Sequence, residues 1–467
     1  MKKGKTMTNV LMLIMDATRA DHLSCYGYER PTSPTLDRLA ETGVLYEQCI
    51  SPSSWTLPTM ASIYTGLFVS QHGTSFLHQF LDTHWTTLGE VMQRAGYRTA
   101  MFGTGGWINR TFGFQRGFDC FETEVRGYKP LRRWFPQTTR IEKLARHIEK
   151  RLTADTQGKM TKRLSQNARR WLNADDETPF FAVIHFADPH WPYFRHRGFT
   201  PTREGRPSPW VFGMDGHKII TGEIEATDAY LDMLTDYYDG EIAFLDHAIG
   251  QLLDQLAEDG LLHNTLIIIT ADHGEHLGEH ALTGHGNSMY EPLIHVPLIM
   301  RHPEYAHGGE RVPSLVQTTE IFTTLLNLVG LTPDDVPNDV RGRALWPSHV
   351  AQAPLSFAVS EDPAPNVQRL ARLTPDFDTT ALEQPLRAIR TEQEKFIWRG
   401  DGAHEFYDLA SDPRETTNRI AHMPERAAQL HAMLTEWVES INPLDVNVLE
   451  QTLDDDLIAQ LKSLGYL

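Results

Sequence analysis

The chain has little cysteine and no long apolar run. Three cysteines, Cys25, Cys49 and Cys120, occur in 467 residues. An odd, sparse set offers no disulfide framework and suits a reducing compartment. No segment approaches the roughly 18 apolar residues that a bilayer span requires. The start Met1-Lys2-Lys3-Gly4-Lys5 has the charge of a signal-peptide opening. The apolar stretch behind it, however, is only about seven residues long and runs into Asp16 with no cleavage-site pattern. These absences predict a cytoplasmic protein.

Basic residues are also few: 43 Lys and Arg stand against 61 Asp and Glu, a net charge of −18. That balance argues against nucleic-acid binding by the whole surface. It would also repel an anionic substrate, which must then be held by a local metal or by local basic groups. The chain has no glycine-rich nucleotide cradle, no Gly-x-Ser-x-Gly elbow and no His-Glu-x-x-His. His276 and His280, four apart, therefore read as structural. Repeats and low-complexity tracts are absent as well.

What is present is a globular composition, with 40% hydrophobic and 22% charged residues. It is long enough for two domains. Apolar runs at 9–15, 98–103, 180–186, 266–271 and 297–300 read as strands. Ser33–Ala40 reads as a capped helix, and 62–67 continues another. From Tyr238 to Leu256 the apolar residues Ile242, Leu245, Ile249, Leu252, Leu253 and Leu256 fall on one helix face. This alternation predicts a mostly parallel sheet flanked by helices. Residues 128–170 hold 13 Lys or Arg against three acids, with Ile141, Leu144, Ile148 and Leu152 on one helical face. They read as a basic helical insertion, whose alternative role is a lid that attracts an anion or a membrane surface. The irregular stretch 363–375 marks a domain boundary. Beyond it, 386–390 and 395–398 read as a hairpin and the tail as helix. The final run 461–467 is apolar enough to dock on another surface, a second copy included.

Two strands end in chemistry. Asn9–Met15 runs into Asp16, and Leu266–Ala271 runs into Asp272-His273-Gly274. In open α/β sheets ligands bind at the carboxyl ends of strands. Two carboxylates and one imidazole make most of a divalent metal site. The alternative is that each Asp only caps a following helix.

Between these segments lies Ser54-Trp55-Thr56-Leu57-Pro58-Thr59-Met60, leading to Thr65-Gly66. With Asp16 and Asp272-His273, this stretch resembles the sulfatase branch of the alkaline phosphatase superfamily, whose members carry Cys/Ser-x-Pro-Ser-Arg followed by a helix and Thr-Gly. Asp16–Leu23, Asp188-Pro189-His190, Gly278–Gly286 and Phe406–Leu409 are similar to further motifs of that branch. The resemblance implies an alkaline-phosphatase/sulfatase-like α/β domain over 1–365 and a smaller C-terminal α+β domain over 366–467.

The resemblance also implies a metal site of Asp16, Thr56, Asp272 and His273, with Thr56, His190 and His285 catalytic. Arg19, His72, Asp188 and Asn287 become candidate substrate contacts. His72 reads first as structural, and a fold-supporting ion pair is an equal reading of Arg19. Asp188, His190 and His285 leave room for a second metal.

Departures from the pattern point to the chemistry. Thr56 stands where the formylglycine precursor would be, and a secondary alcohol would oxidise only to a ketone. Cys49-Ile50-Ser51-Pro52-Ser53 is a near miss with the wrong spacing. Met60 replaces the family arginine, and Thr104-Gly105-Gly106 replaces the sulfate-pocket Lys-Trp-His. Threonine nucleophiles typify the superfamily's phosphodiesterases and headgroup transferases. The expectation is a metal-dependent hydrolase of phosphodiesters or phosphonate monoesters that passes through phospho-Thr56. Its imidazole ligand favours Mn²⁺ or Zn²⁺ over Ca²⁺ or Mg²⁺. The alternatives are a sulfatase that does not use formylglycine and a phosphoethanolamine- or glycerol-phosphate-type transferase. The substrate would be a small anionic ester.

Overall fold

The computed structural model describes residues 7–123 except 105, 158–201 except 159 and 176, 211–303 except 214, 308–345 and 354–441. Residues 128–157, with the helical face read there, and the run 461–467 lie outside the described residues.

The large sheet has eight strands: β1 (Asn9–Met15), β2 (Val44–Ile50), β3 (Arg98–Gly103), β4 (Cys120–Glu122), β5 (Phe180–Phe186), β8 (Thr265–Thr270), β11 (His295–Arg301) and β12 (Glu310–Gln317). The numbers between belong to two short pairs, β6 (Tyr193–Phe194) with β7 (Val211–Phe212) and β9 (His276–Leu277) with β10 (Thr283–Gly284). The spatial order is β12-β2-β11-β8-β1-β5-β3-β4. All neighbours are parallel except β11, which runs antiparallel to both β2 and β8. The sheet is thus mixed and mainly parallel.

Continuous apolar runs make the central strands because both faces are covered. Val10, Met12 and Ile14 of β1 enter one core, and Leu11, Leu13 and Met15 enter the other. The first core receives Leu57, Met60, Ala61, Ile63 and Tyr64 from the helix Thr56–Thr65. The second receives the apolar face of the helix Asp228–Glu258. That helix begins ten residues before the periodic stretch, where Thr227 Oγ1 accepts from the Tyr230 N–H at 3.3 Å. The segment read as helix through Leu67 instead stops at Thr65. Gly66 takes φ 72°, and a Cβ there would meet Phe322 Cδ1 at 2.7 Å.

A second sheet contains β13 (Ala358–Asp362), β14 (Leu386–Arg390), β15 (Glu394–Arg399) and β16 (Glu405–Asp408), all antiparallel. Its first strand precedes the 365/366 boundary read from the sequence. The break at Pro363 falls after a strand that already pairs with β14. One face of this sheet packs on the helix Pro424–Glu439 through Ala427, Leu430 and Leu434. The other meets Met289, Leu293 and Ile294 of the large domain. A fully buried Lys395 reinforces that junction, with its Nζ 3.0 Å from Glu291 and 2.5 Å from Glu415. Removing one partner of a buried ion group leaves uncompensated charge. Lys395→Met should therefore lower stability by roughly 3–5 kcal/mol in a denaturant titration. A loss below ~1 kcal/mol would mean that one carboxyl is already protonated in the native protein.

Candidate active site

The ends of three neighbouring parallel strands, β8, β1 and β5, meet at one point. Asp272 lies just beyond β8, Asp16 directly follows β1, and His185 is the penultimate residue of β5, paired with Ile14. Backbone amides hold one side of the Asp272 carboxylate. Oδ1 accepts from His273 N–H at 2.9 Å and from Ala17 N–H at 3.2 Å. The second contact is reached because Ala17 adopts φ 55°, a strained value for a residue with a side chain. The other oxygen, Oδ2, lies 3.6 Å from both His273 Nε2 and His185 Nε2. Asp16 Oδ1 lies 3.5 Å from His273 Nε2. Neither Asp caps a following helix: the next helical turn after Asp16 is capped by Arg19, and Asp272 is followed by extended chain.

Thr56 enters from the opposite side. It is the first residue of the helix Thr56–Thr65, every residue of which is buried. Its Oγ1 is 3.1 Å from His273 Nε2. The approach is set by Ser51, whose hydroxyl lies 2.6 Å from the Asp272 carbonyl and ties the loop before this helix to the end of β8. The helix N-terminus gives this spot a positive partial charge, suited to an anion.

These donors fit a divalent cation. His273 Nδ1 donates to the Gly274 carbonyl at 2.7 Å, so the neutral ring presents the Nε2 lone pair to the carboxylates. Asp16 Oδ1 and Asp272 Oδ2 are buried with no hydrogen-bond partner. Two carboxylate oxygens and an imidazole nitrogen thus converge. Burial, then the nearby Asp272 and Glu275 charges, raises the Asp16 carboxyl well above its usual range. Burial would raise Asp272 too, but His273 and His185 hold it below the carboxylate range. Burial pushes His273 down to about 4, against the pull of Asp272. Asp16, His185 and Asp272 offer ligand atoms all within 4.8 Å of one another, and Thr56 and His273 adjoin them.

His190 and His285 stand beside this centre. Their ring centroids are 4.8 Å apart, and His285 is 4.4 Å from His273. His285 Nδ1 is 2.7 Å from Glu275 Oε1, a fully buried carboxylate that also accepts from the Trp191 N–H. His190 Nδ1 donates to the Trp191 carbonyl at 2.5 Å. Burial first, then the His285 ring, pushes His190 down to about 3, so it is neutral at physiological pH. Asn287 lines the cleft with both histidines.

The other candidates have partners of their own. Arg19 is engaged: Nε and Nη2 donate to Asp21 at 2.9 and 2.8 Å, and Nη1 donates to Glu279 at 2.6 Å. Asp188 lies close enough to Asp16 for its charge to raise that carboxyl. It accepts from Thr161 Oγ1 at 2.5 Å and groups with His196 and Glu241. His72 is fully buried and out of the cleft. Its Nδ1 accepts from the Thr74 N–H at 3.0 Å, and its Nε2 is 2.9 Å from Ser62 Oγ.

Burial lowers His72 from 6.5 to about 3. In that window the unfolded chain binds a proton that the native chain refuses. Stability from this group is therefore complete above 6.5 and falls on acidification, by about 1.4 kcal/mol per pH unit. His72→Asn should flatten part of the wild-type slope of melting temperature between pH 6.5 and 5. An unchanged slope would refute the assignment.

Two functional candidates escaped sequence reasoning. His185 carried the signal that marked Asp16 and Asp272, a polar residue at the end of a buried apolar run. Glu275, three residues after Asp272, is recognisable only from its contact with His285.

The fold and the family match make the chain an ester-bond hydrolase of the alkaline-phosphatase-like superfamily. Residues 8–331 match the Sulfatase family, and the chain belongs to it. Residues 278–442 match the family described as N-sulphoglucosamine sulphohydrolase, C-terminal. Among curated proteins, the chain is 24% identical to an N-acetylglucosamine-6-O-sulfatase of Bacteroides thetaiotaomicron, over 97% of this chain and 90% of that one. It is also 24% identical to the multifunctional alkaline phosphatase superfamily protein PehA of Trinickia caryophylli, over 91% of this chain and 93% of that one. The phosphonate monoester hydrolase of Agrobacterium radiobacter shares the fold, with a TM-score of 0.70 at 22% identity, over 93% of this chain and 95% of that one. No helix among the described residues is long and apolar enough to cross a membrane, and the three cysteines form no disulfide.

Proposed function

We propose that the chain is a metal-dependent hydrolase of phosphodiesters or phosphonate monoesters with Thr56 as nucleophile. The observation that carries this reading is the Thr56 hydroxyl, 3.1 Å from His273 Nε2 at a helix N-terminus and beside two unpartnered carboxylate oxygens. A divalent ion held by Asp16, Thr56, Asp272 and His273, with His185 in reach, would supply Lewis acidity that lowers the hydroxyl pKa and offsets charge on a phosphoryl oxygen. Imidazole donors favour Mn²⁺ or Zn²⁺ for that place.

Thr56 attacks phosphorus in line and gives up its hydroxyl proton, the P–O bond to the leaving group breaks, the leaving oxygen takes up a proton, and water then cleaves the phosphoester on Thr56. His285, with Nδ1 held by Glu275, would accept the Thr56 proton at Nε2 and return it to the leaving oxygen. Neutral His190, with Nδ1–H committed to Trp191, offers Nε2 as an acceptor for the water proton. A monoanionic ester suits the cleft better than a dianion, since no Lys or Arg is among its described lining residues and Arg19 is bound to acids. The names of the sulfatase relatives favour one other reading, sulfate ester hydrolysis by the same threonine.

A chromogenic panel separates the two. Metal-stripped protein would be refilled with Mn²⁺, Zn²⁺, Ca²⁺ or Mg²⁺ and given an aryl phosphodiester, phosphonate monoester, phosphate and sulfate. Faster turnover of the diester or phosphonate with Mn²⁺ or Zn²⁺ is the expected result. Preferred turnover of the sulfate overturns the phosphoester reading.

A further inference from the structure

His185 is a donor at the centre that the resemblance does not supply. The ligand set it implies holds a single imidazole, His273, beside Asp16, Asp272 and Thr56. His185 comes from β5, and His273 follows β8; these two strands flank the one that ends in Asp16. Along β5, Phe181 and Val183 enter the core that receives the Thr56 helix, whereas Ala182, Ile184 and Phe186 enter the other. Side chains alternate along a strand, so His185 faces the side from which Thr56 approaches. It is 2% exposed there, and its Nε2 has no hydrogen-bond partner.

The separations around this nitrogen are those of ligands on a shared ion. An N–H···O hydrogen bond spans about 2.7–3.2 Å. His185 Nε2 lies 3.6 Å from Asp272 Oδ2, too far for one. His273 Nε2 repeats the spacing, at 3.6 Å from the same oxygen and 3.5 Å from Asp16 Oδ1. Ligand atoms held roughly 2.1 Å from one ion at tetrahedral angles lie about 3.4 Å apart. Asp16, Asp272 and His185 each offer a ligand atom within 4.8 Å of the other two. A purely structural histidine in that place would leave its own nitrogen, Asp16 Oδ1 and Asp272 Oδ2 buried and unmet, which costs free energy at each atom.

We propose that His185 is a direct metal ligand, so that two imidazoles and two carboxylates hold the ion, and that it sets the selectivity of the centre for Zn²⁺ over Ca²⁺. This inference rests on the metal-dependent reading above but not on the choice of phosphorus over sulfur. Imidazole nitrogen suits zinc, whereas calcium takes oxygen ligands. A second imidazole in place of an oxygen therefore widens the gap between the two ions.

The test reads the metal and not turnover. Full-length protein would be stripped, loaded with one equivalent of Zn²⁺, and its imidazole ligands counted by X-ray absorption at the zinc edge. Two are expected in the wild type. His185→Gln keeps a polar side chain of similar reach and should leave one, with circular dichroism to check that the variant is folded. In competition with a chromogenic chelator, the variant's Zn²⁺ affinity should fall more than about 100-fold, beyond the loss typical of a residue that only supports a ligand. Its Ca²⁺ affinity should change less than about tenfold, because calcium gains nothing from the ring.

The wild-type count needs no variant. One imidazole in the zinc-loaded wild type, or a ratio of Zn²⁺ to Ca²⁺ affinity that His185→Gln leaves unmoved, would overturn the role of His185 and spare the metal centre. A wild type that binds no Zn²⁺ would sink the metal-dependent reading and this inference with it.

Discussion

Thr56→Ala should cut turnover on the order of 10³- to 10⁶-fold, the range seen when a nucleophile is removed from a preorganised site. The methyl group of alanine keeps the helix start and its buried packing, so stability should change by no more than about 1–2 kcal/mol. Asp16, Asp272, His273 and His185 remain, so metal content should persist with an affinity loss of at most about 100-fold. The variant thus separates chemistry from folding and from metal loading. Acid-quenched wild-type enzyme should yield a peptide phosphorylated at Thr56. Activity above about a tenth of wild type, with metal bound, would show that water attacks directly and that the threonine only positions.

Asp16→Asn should act with opposite signs in metal-free and metal-loaded protein. Without an ion, Asp16 and Asp272 are buried together, 4% and 0% exposed, with unpartnered oxygens. Neutralising one relieves that repulsion and should raise the stability of the apoprotein by about 1–2 kcal/mol. At a metal concentration of 100 Kd the wild type gains ~2.7 kcal/mol from binding. The variant should forgo most of that gain and lose metal-dependent turnover. Melting temperatures with chelator and with added Mn²⁺ or Zn²⁺ give both signs in one experiment. Destabilisation in both states would mean that the carboxylate serves a structural hydrogen bond and not a cation.

Much of this architecture was legible because both-face burial writes itself as an unbroken apolar run. β1, β3, β5 and β8 each read as such runs, and the polar residue that ends a run stands out. Asp16 and Asp272 were recognisable for that reason. His185 obeys the same rule but stands one residue inside its strand, before Phe186, where it reads as part of the run. The antiparallel course of β11 left no mark, since a buried strand looks alike in either direction. The early start of the C-terminal sheet at Ala358 was hidden because strand pairing depends on a partner some thirty residues later.

The roles of charged residues diverged most from their sequence context. Arg19 and Asp188 sit in motifs next to the centre, yet their side chains close on Asp21 and Glu279, and on Thr161, His196 and Glu241. Neighbours in the chain bring a side chain near a site; the direction it faces depends on where opposite charges from distant segments are packed. The sequence alone determined the central strands β1, β3, β5 and β8 and the two strand-end carboxylates, because each follows from local pattern and from burial along one segment; Thr56 was marked only by the resemblance. Only the tertiary structure decided which imidazoles join them, that Glu275 backs His285, and that tryptophans and leucines from distant segments line one cleft. Those facts arise where segments hundreds of residues apart converge, and no local periodicity encodes such a meeting.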